Sequence, residues 1–268
     1  MPPETFRNPF KLAAPPPQIV ALIPARFEST RLPGKMLADI GGRPMIEHVY
    51  RRTAATRGVD AVVVATDDAR IAAAVEGFGG VARMTRGDHR TGTDRIAEVA
   101  ADLSCAIVVN VQGDEPLIEP ETIRAAIDPL ENDPTLEMAT VCRPISDPAD
   151  YHNPSVVKLV MDREGNALYF SRAPIPHNRA GGPFPRLAPH SPVPVFKHFG
   201  IYVFRRTFLL TFARLSQTPL ETAESLEQLR ALEHGFRIRA AITPHDSIGV
   251  DTPEDLERVR HLAVVERT

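Results

Sequence analysis

Residues 19–35 read IVALIPARFESTRLPGK, and the reading of this stretch decides the class of fold. Ile19–Ile23 is an uninterrupted apolar run, the pattern of a strand buried on both faces of a parallel sheet. Pro24 ends the run, and the eleven residues from Ala25 place Arg26, Arg31 and Lys35 on one irregular segment. Ser29, Thr30 and Gly34 lie between them, supplying hydroxyls and one position where backbone can approach a ligand. Guanidinium forks and an ammonium group match phosphate oxygens, so a polyphosphate is the natural anion for such a turn. Taken alone, the segment reads first as a solvated basic loop. It carries neither G-x-x-x-x-G-K-[ST] nor G-x-G-x-x-G, so it is not a P-loop or a dinucleotide fingerprint.

Outward from this stretch, similar apolar runs recur at Ala61–Thr66 and Ala106–Val111. Helical patterns fall at Pro44–Arg57, Ala69–Glu76 and Thr93–Leu103, and Gly79-Gly80 precedes a short strand at Val81–Met84. This β-α-β-α order predicts a doubly wound, mostly parallel α/β sheet with ligands outside the carboxyl ends of its strands. The second half is less regular. Leu136–Val141 and Val156–Met161 read as strands, and the turn Glu164–Asn166 leads into Ala167–Phe170. A long exposed loop is expected at Pro174–Pro194, a strand at Phe199–Phe204 and one amphipathic helix over Glu221–His234. Thr252 caps a terminal helix, with Pro253, Glu254 and Asp255 in its first turn. The expected organisation is a loose tail over residues 1–18, then a single domain over 19–268 with a smaller mixed α/β lobe at about 140–235.

With 268 residues and 43% hydrophobic content, the chain can bury one large core. A formal charge of −3 argues against nucleic acid as a partner. No apolar run reaches membrane-spanning length and no signal-peptide pattern opens the chain, so a cytoplasmic protein with no membrane partner is expected. Cys105 and Cys142 have no C-x-x-C spacing and read as buried thiols rather than a disulfide or metal site.

Acidic residues stand where a sheet of this kind places its ligands. Asp114 follows the run Ala106–Val111 in Gln112-Gly113-Asp114-Glu115-Pro116, and reads either as a magnesium ligand or as an ordinary strand-to-turn aspartate. Asp251, just ahead of the terminal helix, reads as a capping residue or as a second carboxylate for the same ion. A third polar segment, Thr85–Arg95, carries Arg86 and Arg95, and Thr91 or Thr93 caps the helix after it. Arg95 is expected to pair locally, and His89 reads as a surface histidine.

Taken together, the segments resemble the 3-deoxy-manno-octulosonate (KDO) cytidylyltransferases, the CMP-KDO synthetases. The resemblance rests on IPARFESTRLPGK (23–35), VATD (64–67), MTRGDHRTGTDR (84–95) and VNVQGDEP (109–116). In the second half it rests on ALYFSRAPIP (167–176), KHFGIYVF (197–204), PLETAESLEQLR (219–230) and GVDTPEDLERVR (249–260). It implies a nucleotidyltransferase-type fold and conversion of CTP and KDO to CMP-KDO and pyrophosphate, which activates KDO for lipopolysaccharide biosynthesis. The anomeric hydroxyl would attack the α-phosphate in line, with Mg²⁺ as cofactor, and such chemistry needs positioning and charge neutralisation more than a covalent nucleophile. By family position Arg26, Arg31, Lys35 and Asp114 would be catalytic. Ala25, Ser29, Arg86, Thr93 and Gln112 would join Arg26, Arg31 and Lys35 in seating the nucleotide, and Asp114 with Asp251 would hold the metal. Arg172, His198, Tyr202, Glu227 and Gln228 would bind the sugar acid.

The resemblance further implies a homodimer, its surface built by the helical part of the second half with Phe199–Phe204. Departures are the leader Met1–Gln18, His177-Asn178 and the loop 179–196, which touch the rim of the sugar site rather than the chemistry. A cytidylyltransferase for another acid sugar would share the nucleotide segment but lack the FSR, HFGIY and LEQLR set. A nucleotide-binding regulator without turnover would be expected to lose Asp114 or Asp251. A dehydrogenase is disfavoured by the cationic first turn.

Overall fold

The computed structural model describes residues 18–29, 31–177, 179 and 194–265. The expected N-terminal tail, but for Gln18, and most of the expected loop Pro174–Pro194 lie outside these residues. Strand β1 (Ile19–Ala25) leads through a 3-10 turn (Lys35–Leu37) into the small hairpin β2 (Asp39–Ile40) and β3 (Arg43–Pro44). Then follow α1 (Met45–Ala54), β4 (Ala61–Thr66), α2 (Ala69–Gly77), β5 (Ala82–Met84), α3 (Gly92–Ala101), β6 (Ile107–Asn110) and α4 (Pro120–Asn132). The second half runs β7 (Met138–Pro144), α5 (Pro148–His152), β8 (Lys158–Met161), β9 (Ala167–Ser171) and β10 (Phe196–Arg205). It closes with α6 (Arg206–Phe212), α7 (Pro219–Glu224), α8 (Leu229–Glu233), β11 (Ile238–Ile242) and α9 (Pro253–Val265).

The main sheet has the order β11-β7-β10-β6-β1-β4-β5, with the β8–β9 hairpin attached through β8 to β10. Strands β6, β1, β4 and β5 are parallel, as the β-α-β-α pattern predicts. Strand β10 enters antiparallel between β6 and β7, and β11 pairs parallel with β7 at the far edge.

The apolar runs are continuous because both sheet faces are covered. Ile19, Ala21, Ile23 and Ala25 of β1 belong to one core cluster, while Val20 and Leu22 belong to the other. The same alternation holds for Val62 and Val64 against Val63 and Ala65, the period of two that sends successive side chains to opposite faces. Helices α1, α2, α4 and α9 cover the first face, and α3, α6, α8 and the β8–β9 hairpin cover the second. Cys142 is buried and Cys105 half-buried, both as free thiols, and burial pushes the Cys142 thiol up to about 12.

One expectation is corrected. The single helix over Glu221–His234 is two short helices, α7 and α8, because Ser225 adopts φ 52° and breaks the 3.6-residue path. The strand Phe199–Phe204 lies in mid-sheet within β10, with Ile201 and Val203 fully buried.

Candidate active site

Chain direction reverses across the sheet at β1 and β6: β4 and β5 extend to one side of β1, and the chain returns to lay β6 on the other. A crevice therefore opens beyond the carboxyl ends of β1 and β6, where the basic loop and the Gln112–Pro116 turn both emerge. Lys35 joins them. Its Nζ donates to Asp114 Oδ2 at 2.6 Å, to Asp251 Oδ1 at 3.0 Å and to the Val250 carbonyl at 3.1 Å. Burial opposes the Lys35 charge, but Asp114 and then Asp251 outweigh it and raise its pKa above the ordinary value. Arg31 Nη2 reaches Asp251 Oδ2 at 2.9 Å. Burial favours neutral Asp251, yet Lys35 and Arg31 hold its pKa below the ordinary value.

Backbone contacts bring the two carboxylates together across 137 positions of sequence. The Val250 N–H donates to the Asp114 carbonyl at 2.8 Å. Thr252 caps α9 by accepting from the Asp255 N–H at 3.2 Å, and Asp255 Oδ2 accepts from the N–H groups of Asp251 and Thr252. That reciprocal cap leaves the Asp251 carboxylate for Lys35 and Arg31. The neighbouring acid, Glu115, is buried, and desolvation pushes its pKa up to about 7. Asp114 and Asp251 are thus the paired acids that line the cleft.

The loop itself is closed by the Gly34 N–H donating to the Phe27 carbonyl at 3.0 Å. Gly34 sits at φ 69°, and a Cβ there would stand 3.1 Å from the Phe27 ring. At Gly113 a Cβ would meet Met36 Sδ at 3.0 Å and the Pro24 carbonyl at 3.2 Å, so the two loops can pack this closely only with glycine.

A cleft of about 290 Å³ lies between these loops. Of the expected nucleotide and metal residues, Ala25, Arg26, Ser29, Arg31, Lys35, Gln112, Asp114 and Asp251 line it. Arg90, Gly92 and Arg95 also line it, although only Arg95 stood out in the sequence, and there as a local partner. Arg95 in fact pairs with Asp67 at 3.0 Å and Thr85 at 2.6 Å, bracing the loop after β4. Arg86 does not line this cleft: it pairs with Glu98 at 3.3 Å and lines an adjoining cleft outside α3 that shares His89, Arg90 and Thr91 with the first. The His89 side chain is only 6% exposed and bonds Glu98, so it is not a surface histidine.

The sugar-side residues reach the same crevice through a polar chain. Glu227 accepts from Thr91 Oγ1 at 2.8 Å and Thr93 Oγ1 at 2.6 Å, tying the α7–α8 junction to the start of α3. Asn110 Nδ2 donates to Thr93 at 3.4 Å, and Gln112 Nε2 donates to Asn110 Oδ1 at 3.4 Å and to the Gly200 carbonyl at 2.9 Å. Tyr202 pairs with Asn110 across β10 and β6, and Gln228 is buried with no partner at Nε2 among the described residues. Glu224, not among the expected sugar-side residues, accepts from Ser171 Oγ at 2.6 Å and the Arg172 N–H at 2.9 Å. Among the described residues no group of three His, Cys, Asp or Glu side chains converges as a metal cluster.

Residues 20–238 match the family model described as cytidylyltransferase. The chain is 57% identical to the 3-deoxy-manno-octulosonate cytidylyltransferase of Geobacter sulfurreducens, over 90% of this chain and 97% of that protein. The corresponding protein of Syntrophotalea carbinolica is 56% identical over 90% and 96%. A solved CMP:2-keto-3-deoxy-manno-octonic acid synthetase complexed with CTP superposes with a TM-score of 0.85 at 45% identity, covering 93% of this chain and 99% of that one. The chain belongs to the 3-deoxy-manno-octulosonate cytidylyltransferase family. The 4-diphosphocytidyl-2C-methyl-D-erythritol synthase of Anaerococcus prevotii, 14% identical with a TM-score of 0.58, shares the fold alone.

Within this cytidylyltransferase framework His198 has a defined protonation state. The Thr140 hydroxyl donates to the Ile201 carbonyl at 2.7 Å, so at 2.7 Å from His198 Nε2 it can only accept. His198 therefore carries its proton on Nε2 and presents Nδ1 as an acceptor. Burial lowers the ring's pKa to about 3, against about 6.5 for an unfolded chain. Between those values the unfolded state takes a proton that the folded state refuses, so stability falls as pH drops through this window. His198→Gln should consequently lose less melting temperature than the parent between pH 7 and 4.5; equal losses would show that His198 contributes nothing to acid lability.

Proposed function

We propose that this chain transfers the cytidylyl group of CTP to the anomeric hydroxyl of KDO with release of pyrophosphate. The observation that carries this reading is the assembly of Arg26, Ser29, Arg31, Lys35, Asp114 and Asp251 around one cleft at the sheet's switch point. Arg26, Arg31 and Lys35 bind the triphosphate and neutralise charge that builds on the leaving pyrophosphate. Ala25 and Gln112 line the nucleotide's place in the cleft, and Thr93 backs it through Glu227 and Asn110.

Asp114 and Asp251 fit Mg²⁺. Both carboxylates already converge on one cationic atom, Lys35 Nζ, and two carboxylates plus phosphate oxygens suit that ion's preference for oxygen ligands. Bound there, the ion would neutralise phosphate charge and lower the barrier to attack. On the sugar side Arg172 supplies a guanidinium for the substrate carboxylate, and His198 Nδ1 accepts from a sugar hydroxyl. Tyr202, Glu227 and Gln228 complete the hydroxyl partners; the buried Gln228 Nε2, without a partner among the described residues, fits a donor awaiting a ligand. Arg86, outside this cleft, has the weakest support as a nucleotide contact. A homodimer is the assembly we expect.

Magnesium-dependent pyrophosphate release from CTP should require the octulosonate. Equal release with neuraminate would favour a general acid-sugar cytidylyltransferase and sink the substrate assignment.

A further inference from the structure

Lys158, the first residue of β8, is fully buried and among the largest side chains in that state. No carboxylate among the described residues lies within ion-pair distance of it. Instead its ammonium donates to three backbone carbonyls: Asn153 at 2.8 Å, Val156 at 2.6 Å and Arg172 at 2.7 Å. Three N–H donors thus meet three acceptors. The charge is still disfavoured, because burial and the neighbouring Arg172 lower the pKa against the pull of Glu224 and Asp150, and a methionine would fill similar space without that penalty. What the ammonium joins gives it a purpose.

Its three contacts converge on Arg172 by two routes. Directly, Lys158 holds the Arg172 carbonyl at the end of β9. Indirectly, it holds the Asn153 and Val156 carbonyls on either side of Pro154, whose own carbonyl accepts from Arg172 Nη1 at 3.0 Å. The same guanidinium donates from Nε to the Glu224 carbonyl at 2.9 Å and from Nη2 to the Ser225 carbonyl at 3.4 Å. Of its five N–H groups three are engaged, and one on each terminal nitrogen remains for a carboxylate. The next residue, Val157, accepts the His198 N–H at 2.9 Å, so the same short segment also anchors β10 at a sugar-side residue.

We propose that Lys158 is a positioning residue for the sugar-acid half of the site, fixing the Arg172 guanidinium and its turn so that two N–H groups are held ready for the substrate carboxylate. This rests on the assignment of Arg172 to the sugar acid. The test compares Lys158→Met, Lys158→Gln, Arg172→Ala and the Lys158→Met/Arg172→Ala pair in the full chain, reading kcat, both KM values and the melting temperature. Arg172→Ala should raise the KM for KDO about thirtyfold, the loss of a charge-assisted pair. Lys158→Met should raise it about tenfold, within the range for members of one hydrogen-bond network, with the CTP KM unchanged. The double variant should resemble Arg172→Ala alone, and Lys158→Gln, which keeps two donors, should recover part of the loss.

An unchanged KDO KM in Arg172→Ala would overturn the assignment of Arg172. A raised KM there, with Lys158→Met unchanged, fully additive, or equally impaired for CTP, would overturn the positioning role alone. If Lys158→Met does not fold, Lys158→Gln decides by the same comparison. Failure of both to fold would mark Lys158 as purely structural.

Discussion

Asp114→Asn is expected to lower turnover by about a thousandfold and to leave the melting temperature nearly unchanged. The substitution conserves shape, and the Asp114 backbone carbonyl still accepts from Val250, so the two acidic loops stay joined. What is lost is one of two negative charges converging on the cleft. Folding loses little because the Lys35 ammonium is not left unpaired: it keeps Asp251 and the Val250 carbonyl as acceptors, and the new amide oxygen stands where the carboxylate oxygen did. Asp251→Asn should act in the same direction, and in both variants more Mg²⁺ should be needed for half-maximal activity. The measurement is a magnesium titration of pyrophosphate release beside a thermal melt. Full activity in either variant would remove that carboxylate from the metal site.

Lys35→Met should be damaging in a different way. It removes the ammonium that three loops share and leaves two carboxylates facing one another with a carbonyl unpaired. Stability should fall by about 2 kcal/mol and turnover by about a thousandfold, since the same group contacts the triphosphate in our reading. Lys35→Arg should rescue poorly, because a planar fork does not occupy the place of a compact ammonium. Added Mg²⁺ should raise the melting temperature of Lys35→Met more than that of the parent, the divalent ion taking the place between the carboxylates. An equal rise in both would show that the ion binds elsewhere.

Much of the fold was legible because its signals are local. The continuous runs at β1, β4 and β6 could only be strands covered on both faces, and the intervening helical patterns put α1, α2 and α3 in place within a few residues. Elements were missed where local signals conflict. Helix α4 carries Pro120 and Pro129, and its helical period is masked by residues that usually punctuate chains. The α7–α8 break was invisible because Ser225 is not a residue that announces φ 52°. With it the contacts of Glu224 with Ser171, and of Glu227 with Thr91 and Thr93, were out of sight as well.

The sequence by itself determined the α/β class, the cationic turn after β1, the acids at Asp114 and Asp251, and the family to which these motifs belong. Each depends on neighbouring residues in the chain, where apolar period, turn chemistry and motif order are written directly. The tertiary structure decided what the charges do. Lys35 became the joint between two distant acids, Arg86 was drawn away to Glu98, His89 was buried, and Lys158 emerged as a buried ammonium held by three backbone carbonyls. Those outcomes are set by which carbonyls and carboxylates the packed sheet brings within hydrogen-bond reach, a property of distances in space rather than of positions along the chain.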